Sequence, residues 1–226
     1  MILIYIVGFV IILGFSLYAQ GKVKSNYKKY SRVMASSGMS GAEAAMEMLS
    51  RAGVYNVGVE RTHGFLSDHY DPRRNVIKLS PEVYEGRSLS SVGIACHEAG
   101  HAIQKANNYA PLVIRNMAVP AAAFGSQAGI WILIGGLLLN VFALQLVGLV
   151  LFGAVAVFQV INLPVEFDAS RRAKHQLISH NIIHHGSEEK GVSKVLDAAA
   201  MTYVAATVAA LFTFLYYALL VFGGRR

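Results

Sequence analysis

Apolar and polar residues alternate along this chain in long blocks rather than in a fine period. Residues 1–21, 116–165 and 198–224 contain no Asp, Glu, Lys or Arg. A bilayer core of about 30 Å takes roughly 20 helical residues. Ile2–Ala19 therefore predicts one span and Ala199–Phe222 another. The middle block is too long for one span and predicts two, Val119–Leu139 and Val141–Leu163, joined by a tight turn from Gly135-Gly136 to Asn140. Buried helices of a soluble protein are the alternative, and blocks of this length disfavour it.

Between the blocks the pattern is finer. Ser40 can cap a helix over Gly41–Arg51 that Gly53 ends, with Ala, Met and Glu as good helix formers inside it. Tyr55–Glu60 alternates loosely and predicts a strand. The run Asp68–Arg74, with Pro72, has turn chemistry, and Asn75–Ser80 predicts a short strand. Ser80 before Pro81 and Glu82 reads as the N-cap of a helix with proline at its first position. Ser88 or Ser90 can cap the next helix, which runs to about Asn107.

Composition agrees with the blocks. Of 226 residues, 54% are hydrophobic and 15% charged, against about a quarter charged in soluble domains. Disorder is excluded, since a chain this apolar collapses in water. The net charge of +7 is largely juxtamembrane: Lys22, Lys24, Lys28, Lys29 and Arg32 directly follow the first apolar run. That placement orients a membrane protein and meets anionic lipid; it is not a nucleic-acid footprint. The first run lacks a basic start and a small-residue cleavage site, so it reads as an anchor rather than a signal peptide. The positive-inside rule puts residues 22–115 and 164–197 in the cytosol, with Arg225 and Arg226 on the opposite side. The lone Cys96 fits a reducing compartment.

The chemistry lies in the helix after Ser88–Ser90, at His97-Glu98-Ala99-Gly100-His101. Positions i and i+4 share a helix face, so His97 and His101 can grip one Zn²⁺. Glu98 is turned off that face and can take a proton from a water at the metal. Val92, Cys96, Ala99 and Ile103 form an apolar face behind the ligands. The bland reading is a polar helix with two incidental histidines. A catalytic zinc needs a third protein ligand, and after His101 the next histidine is His175. Glu166 is the best placed candidate, in a fresh helix begun by Pro164; alone, such a carboxylate could be only a helix-dipole partner. Asp168 lies about 200° round from Glu166, so the two cannot share a metal, whereas Ser170 shares the Glu166 face.

Together, His97–His101 and the distant Pro164-Val165-Glu166-Phe167-Asp168-Ala169-Ser170-Arg171-Arg172-Ala173, with Asp68–Pro72 and Leu79–Tyr84, resemble the bacterial membrane-embedded neutral zinc metallopeptidases of the YugP type. The resemblance spans nearly the whole chain and implies kinship with HtpX and the CAAX prenyl endoproteases. In those relatives an aspartate four residues after the ligand glutamate makes a supporting contact; Ser170 stands there here, so Ser170 or Asp168 takes that role.

The resemblance implies a mainly α-helical integral membrane protein with about four transmembrane helices and a small α+β zincin-like catalytic domain. The divisions are an anchor at 1–21, the zincin-like domain at 22–115, a transmembrane hairpin at 116–165, a third-ligand helix and loop at 166–197, and a last transmembrane helix and tail at 198–226. The expected activity is endopeptidase cleavage of membrane or membrane-proximal polypeptides, with Zn²⁺ on His97, His101 and Glu166 and Glu98 as general base. The expected place is the bacterial inner (cytoplasmic) membrane, multi-pass, with the site facing the cytosol. The Asn75–Ser80 strand is expected to be a sheet edge to which an extended substrate adds. His175, His180 and Arg171 are candidate oxyanion partners, His184-His185 an exposed loop, and His63 and His69 turn residues. A non-catalytic zinc-stabilised scaffold or partner-binding protein is the alternative. A transporter is disfavoured, because the spans carry no ionisable acid or base of the kind transport pathways use.

Overall fold

A computed structural model describes residues 2–223, with side chains from Leu3 onward; Met1 and the expected tail charges Arg225 and Arg226 lie outside the described residues. The chain is mostly helical. Helix α1 is Ile2–Tyr30, α2 Gly41–Arg51, α3 Pro81–Tyr84, α4 Leu89–Ala106, α5 Ala110–Phe124, α6 Ile130–Leu138, α7 Phe142–Ser179 and α8 Ser187–Gly223. Three short strands, β1 Gly58–Arg61, β2 His69–Asp71 and β3 Val76–Leu79, form the sheet. Four helical stretches among the described residues are long and apolar enough to cross a membrane: Leu3–Tyr30, Ala110–Leu138, Phe142–Ser179 and Ser187–Gly223. The helices thus outrun the apolar blocks: α1 continues through the lysines to Tyr30, and α8 begins at Ser187. A helix ends where its backbone caps, not where its side chains turn polar.

The chain divides into two compact units. Among the described residues, one takes 2–18, 110–164 and 202–223. Within it, Ala110–Phe124 runs through a π-helical turn at Gly125–Gly129 into α6. The turn to α7 is made at Asn140, at φ +52°. Small residues let these helices approach backbone to backbone, as apolar interfaces require: a Cβ on Gly148 would lie 2.3 Å from Leu133 N, and one on Gly136 2.5 Å from Gln145 N. Tyr5 of α1 stacks on Tyr216 of α8, ring centroids 4.1 Å apart.

The other unit takes residues 19–109 and 165–201 and holds the three strands. Its core joins Ala42, Ala45, Met48 and Leu49 of α2 to Val92, Ala95, Cys96 and Ala99 of α4 and Ala173 and Leu177 of α7. The α2 residues recur with the period that puts them on one helix face. Ser40 caps α2 as expected, in a reciprocal box: the Glu43 N–H donates to Ser40 Oγ, and the Ser40 N–H donates to Glu43 at 2.7 Å. Those bonds hold the Glu43 carboxyl below its ordinary range.

Three expectations need correction. The Asn75–Ser80 strand is not an edge: β3 is central, parallel to β1 through Gly58↔Val76 and Arg61↔Leu79, and antiparallel to β2 through Tyr70↔Ile77. It is the most apolar of the three, with Ile77 and Leu79 fully buried, so the more polar strands flank it. His69 is the first residue of β2 rather than of a turn; the turn is Pro72–Asn75, where Asp71 accepts from the Arg73 and Arg74 N–H groups and Asn75 takes φ +58°. Pro164 does not begin a helix. It sits inside the continuous α7, because proline deletes one N–H while the ladder on either side can persist.

Candidate metal centre

Helix α4 positions the motif. Ser88 caps it, accepting from the Ser91 N–H at 3.2 Å, and Val92, Cys96, Ala99 and Ile103 are buried behind the histidines. Burial also pushes the Cys96 thiol up, which keeps it protonated and inert. On the opposite face His97 and His101 stand edge to face, ring centroids 4.8 Å apart.

Helix α7 brings the third group. Glu166 Oε2 lies 3.3 Å from His97 Nε2 and 3.5 Å from His101 Nε2, and the three ligand atoms fall within 4.8 Å of one another. Tetrahedral zinc with bonds of about 2.0–2.1 Å separates its ligands by roughly 3.3 Å. Glu166 is 2% exposed, and its Oε2 is buried without a hydrogen-bond partner. An oxygen of this kind is costly to bury unless a cation meets it. Two imidazoles and a carboxylate are also a donor set suited to zinc. The residues fit the ion.

Glu98 is buried beside this group at 8% exposure. Asp68, which accepts from the Ser80 N–H at 2.8 Å and from its hydroxyl at 3.0 Å, is held above its usual range by burial, with a smaller push from Glu98. Ser80 thus stands at the N-cap of α3 ahead of Pro81, as expected, but spends its hydroxyl on Asp68 rather than on a capping bond. Burial lowers the His101 imidazolium, but the Glu166 and Glu98 carboxylates outweigh it and the net direction is upward.

The groups around the histidines differ. Ser170 Oγ lies 3.1 Å from His97 Nδ1. Gln104, fully buried, places its Oε1 3.0 Å from His101 Nδ1 and donates from Nε2 to Val165 O at 2.8 Å and Asp168 Oδ2 at 2.9 Å. Asp168 is also held by Arg171 and Arg172. Ser170 and Asp168 therefore both support the histidines, the second through a residue that motif reasoning passed over. The sequence signal for it is faint: Gln104 is three residues past His101 and so shares its helix face, but its partners Val165 and Asp168 come from α7.

Other candidates lie elsewhere. Arg171 is spent on Asp168. His180 pairs with Gln176 and feels Arg51 and Glu47 of α2, and His175 is exposed. His184 and His185 are exposed ahead of α8.

The chain is 48% identical, over 94% of its length and 94% of the relative's, to the "Putative membrane protease YugP" of Bacillus subtilis (strain 168). No solved structure matches it. A family model described as "Putative neutral zinc metallopeptidase" matches residues 4–222, and the chain belongs to that family.

Proposed function

We propose that the protein is a zinc-dependent endopeptidase of the bacterial inner membrane, with a small zincin-like domain on the cytosolic side. The observation that carries this reading is the unpartnered Glu166 Oε2 facing two imidazole nitrogens at 3.3 and 3.5 Å. His97 and His101 through Nε2, and Glu166 through Oε2, would hold the ion. The chemistry that a bound zinc supplies is Lewis acidity toward a water and toward the scissile carbonyl. Glu98 accepts the proton of the attacking water at its carboxylate and returns it to the departing amide nitrogen. A C–O bond forms and the C–N bond breaks, so the proton count closes. Substrates are membrane-proximal polypeptide segments, because Glu166 follows directly on the apolar run of α7. With β3 enclosed, β2 offers the free backbone edge of the sheet that packs near α4.

The test is purified protein in detergent or liposomes against a peptide library. Glu98→Gln should retain stoichiometric zinc and lose cleavage by on the order of a hundredfold or more. Glu166→Ala should lose both zinc and cleavage. Full activity in either variant counts against the assigned roles.

A further inference from the structure

The two histidines facing Glu166 are held by unlike partners, and the difference has a chemical consequence. A neutral imidazole carries one proton, and the group opposite one ring nitrogen decides which nitrogen bears it. Gln104 has an amide with one acceptor oxygen and two N–H donors. Its Nε2 faces Val165 O at 2.8 Å and Asp168 Oδ2 at 2.9 Å, and neither can donate. Turning the amide over would set its oxygen against two other oxygens, so the orientation is forced by the network. The atom facing His101 Nδ1 at 3.0 Å is therefore Oε1, an acceptor only. Asp168 is itself anchored by Arg171 and Arg172. Ser170, by contrast, offers His97 Nδ1 a hydroxyl that can either donate or accept.

We propose that Gln104 is a positioning residue that locks His101 in the Nδ1–H form, leaving its Nε2 lone pair aimed at the Glu166 side of the site. Asp168 acts through Gln104 by fixing which way the amide points. Among the described residues, the group at His97 Nδ1 is the Ser170 hydroxyl, which imposes no such lock. The inference rests on the zinc reading above for its purpose; in the metal-free protein the Glu166 carboxylate competes at His101 Nε2 from 3.5 Å without hydrogen-bond geometry, against 3.0 Å for Gln104 at Nδ1.

The test therefore has two arms. In ¹⁵N-histidine-labelled, zinc-free protein above the imidazole titration range, His101, identified by the signal lost in His101→Gln, should show a pyrrole-type Nδ1 and a pyridine-type Nε2. An Nε2–H form in the wild type overturns the proposal outright, whether or not any variant folds. In the second arm, Gln104→Met keeps the length and volume of the side chain and removes every hydrogen bond. It should release the tautomer preference and weaken zinc, measured by chelator competition, by about 10- to 100-fold. Asp168→Asn should weaken zinc less, and the two changes combined should be non-additive. An unchanged tautomer with zinc affinity equal to wild type in Gln104→Met sinks the idea. A wild type that binds no zinc, yet shows the Nδ1–H form, counts instead against the metal reading and leaves the positioning role standing.

Discussion

Gly100 carries no functional group, yet its place in the motif is crowded. A Cβ there would lie 2.8 Å from Ala169 O and 3.2 Å from Ala169 Cα, backbone atoms of α7 that cannot swing aside. Ala169 is three residues beyond Glu166, so this contact sets how closely the glutamate approaches the two histidines. Glycine inside a helix ordinarily costs about 0.5–1 kcal/mol relative to alanine, and replacing it at an open site should stabilise. Gly135 is such a site, with nothing within 4 Å of an added Cβ. Gly100→Ala should reverse the sign, losing about 1–3 kcal/mol through overpacking and weakening zinc by on the order of tenfold, as displaced supporting groups do. Thermal unfolding and chelator competition on Gly100→Ala and Gly135→Ala read both effects; equal behaviour of the two variants contradicts the argument. The histidine pair was legible from local spacing alone. The roles of Gly100 and Gln104 were not, because they exist only once α7 lies against α4.

At the scale of elements, the sheet shows where pattern reading stops. The strand at β3 was visible, and so was the cap of α2. Of the neighbours of β3, β1 was legible in part, since the strand expected at Tyr55–Glu60 overlaps Gly58–Arg61, whereas β2 has three residues, too few for a period to declare itself. What holds them is the residue at the turn. Asn75 adopts φ +58°, donates from Nδ2 to Asn56 O at 2.6 Å, and accepts at Oδ1 from the Tyr70 hydroxyl and from Lys105 of α4 at 3.1 Å. One side chain thus ties the approach to β1, strand β2 and the motif helix together. Asn75→Gly keeps the left-handed backbone and loses the side-chain bonds, which predicts a loss of about 1–2 kcal/mol. Asn75→Ala adds the strain of a Cβ in that conformation, roughly 1 kcal/mol more. Denaturant unfolding of the polar unit should rank wild type above Gly above Ala. An alanine variant as stable as the glycine one removes the strain from the account. Pro164 teaches the complementary lesson: a residue that usually starts helices is overridden when the flanking sequence on both sides is strongly helical.

On the scale of the whole molecule, the blocks of charge acquire a topological meaning. Residues 19–109 and 165–201 belong to one compact unit, and a bilayer cannot divide a packed core, so both segments must face the same side. Two helical stretches long and apolar enough to cross a membrane, Ala110–Leu138 and the apolar part of α7, lie between them in the chain, which is the parity this requires. By the positive-inside rule the cluster Lys22, Lys24, Lys28, Lys29 and Arg32 then predicts the cytosolic side for both, the orientation proposed above. The chain carries its own control for a labelling experiment: Cys96 is fully buried and its thiol is pushed up by burial, so the native protein should be silent to maleimide. Single cysteines at the exposed Ser50 and Ser187 should be blocked to an impermeant maleimide in intact cells and react in inside-out vesicles. Reaction of both in intact cells would reverse the orientation and place the peptidase chemistry outside. Reaction of one and not the other would break the single unit itself, and with it the meeting of Glu166 with His97 and His101.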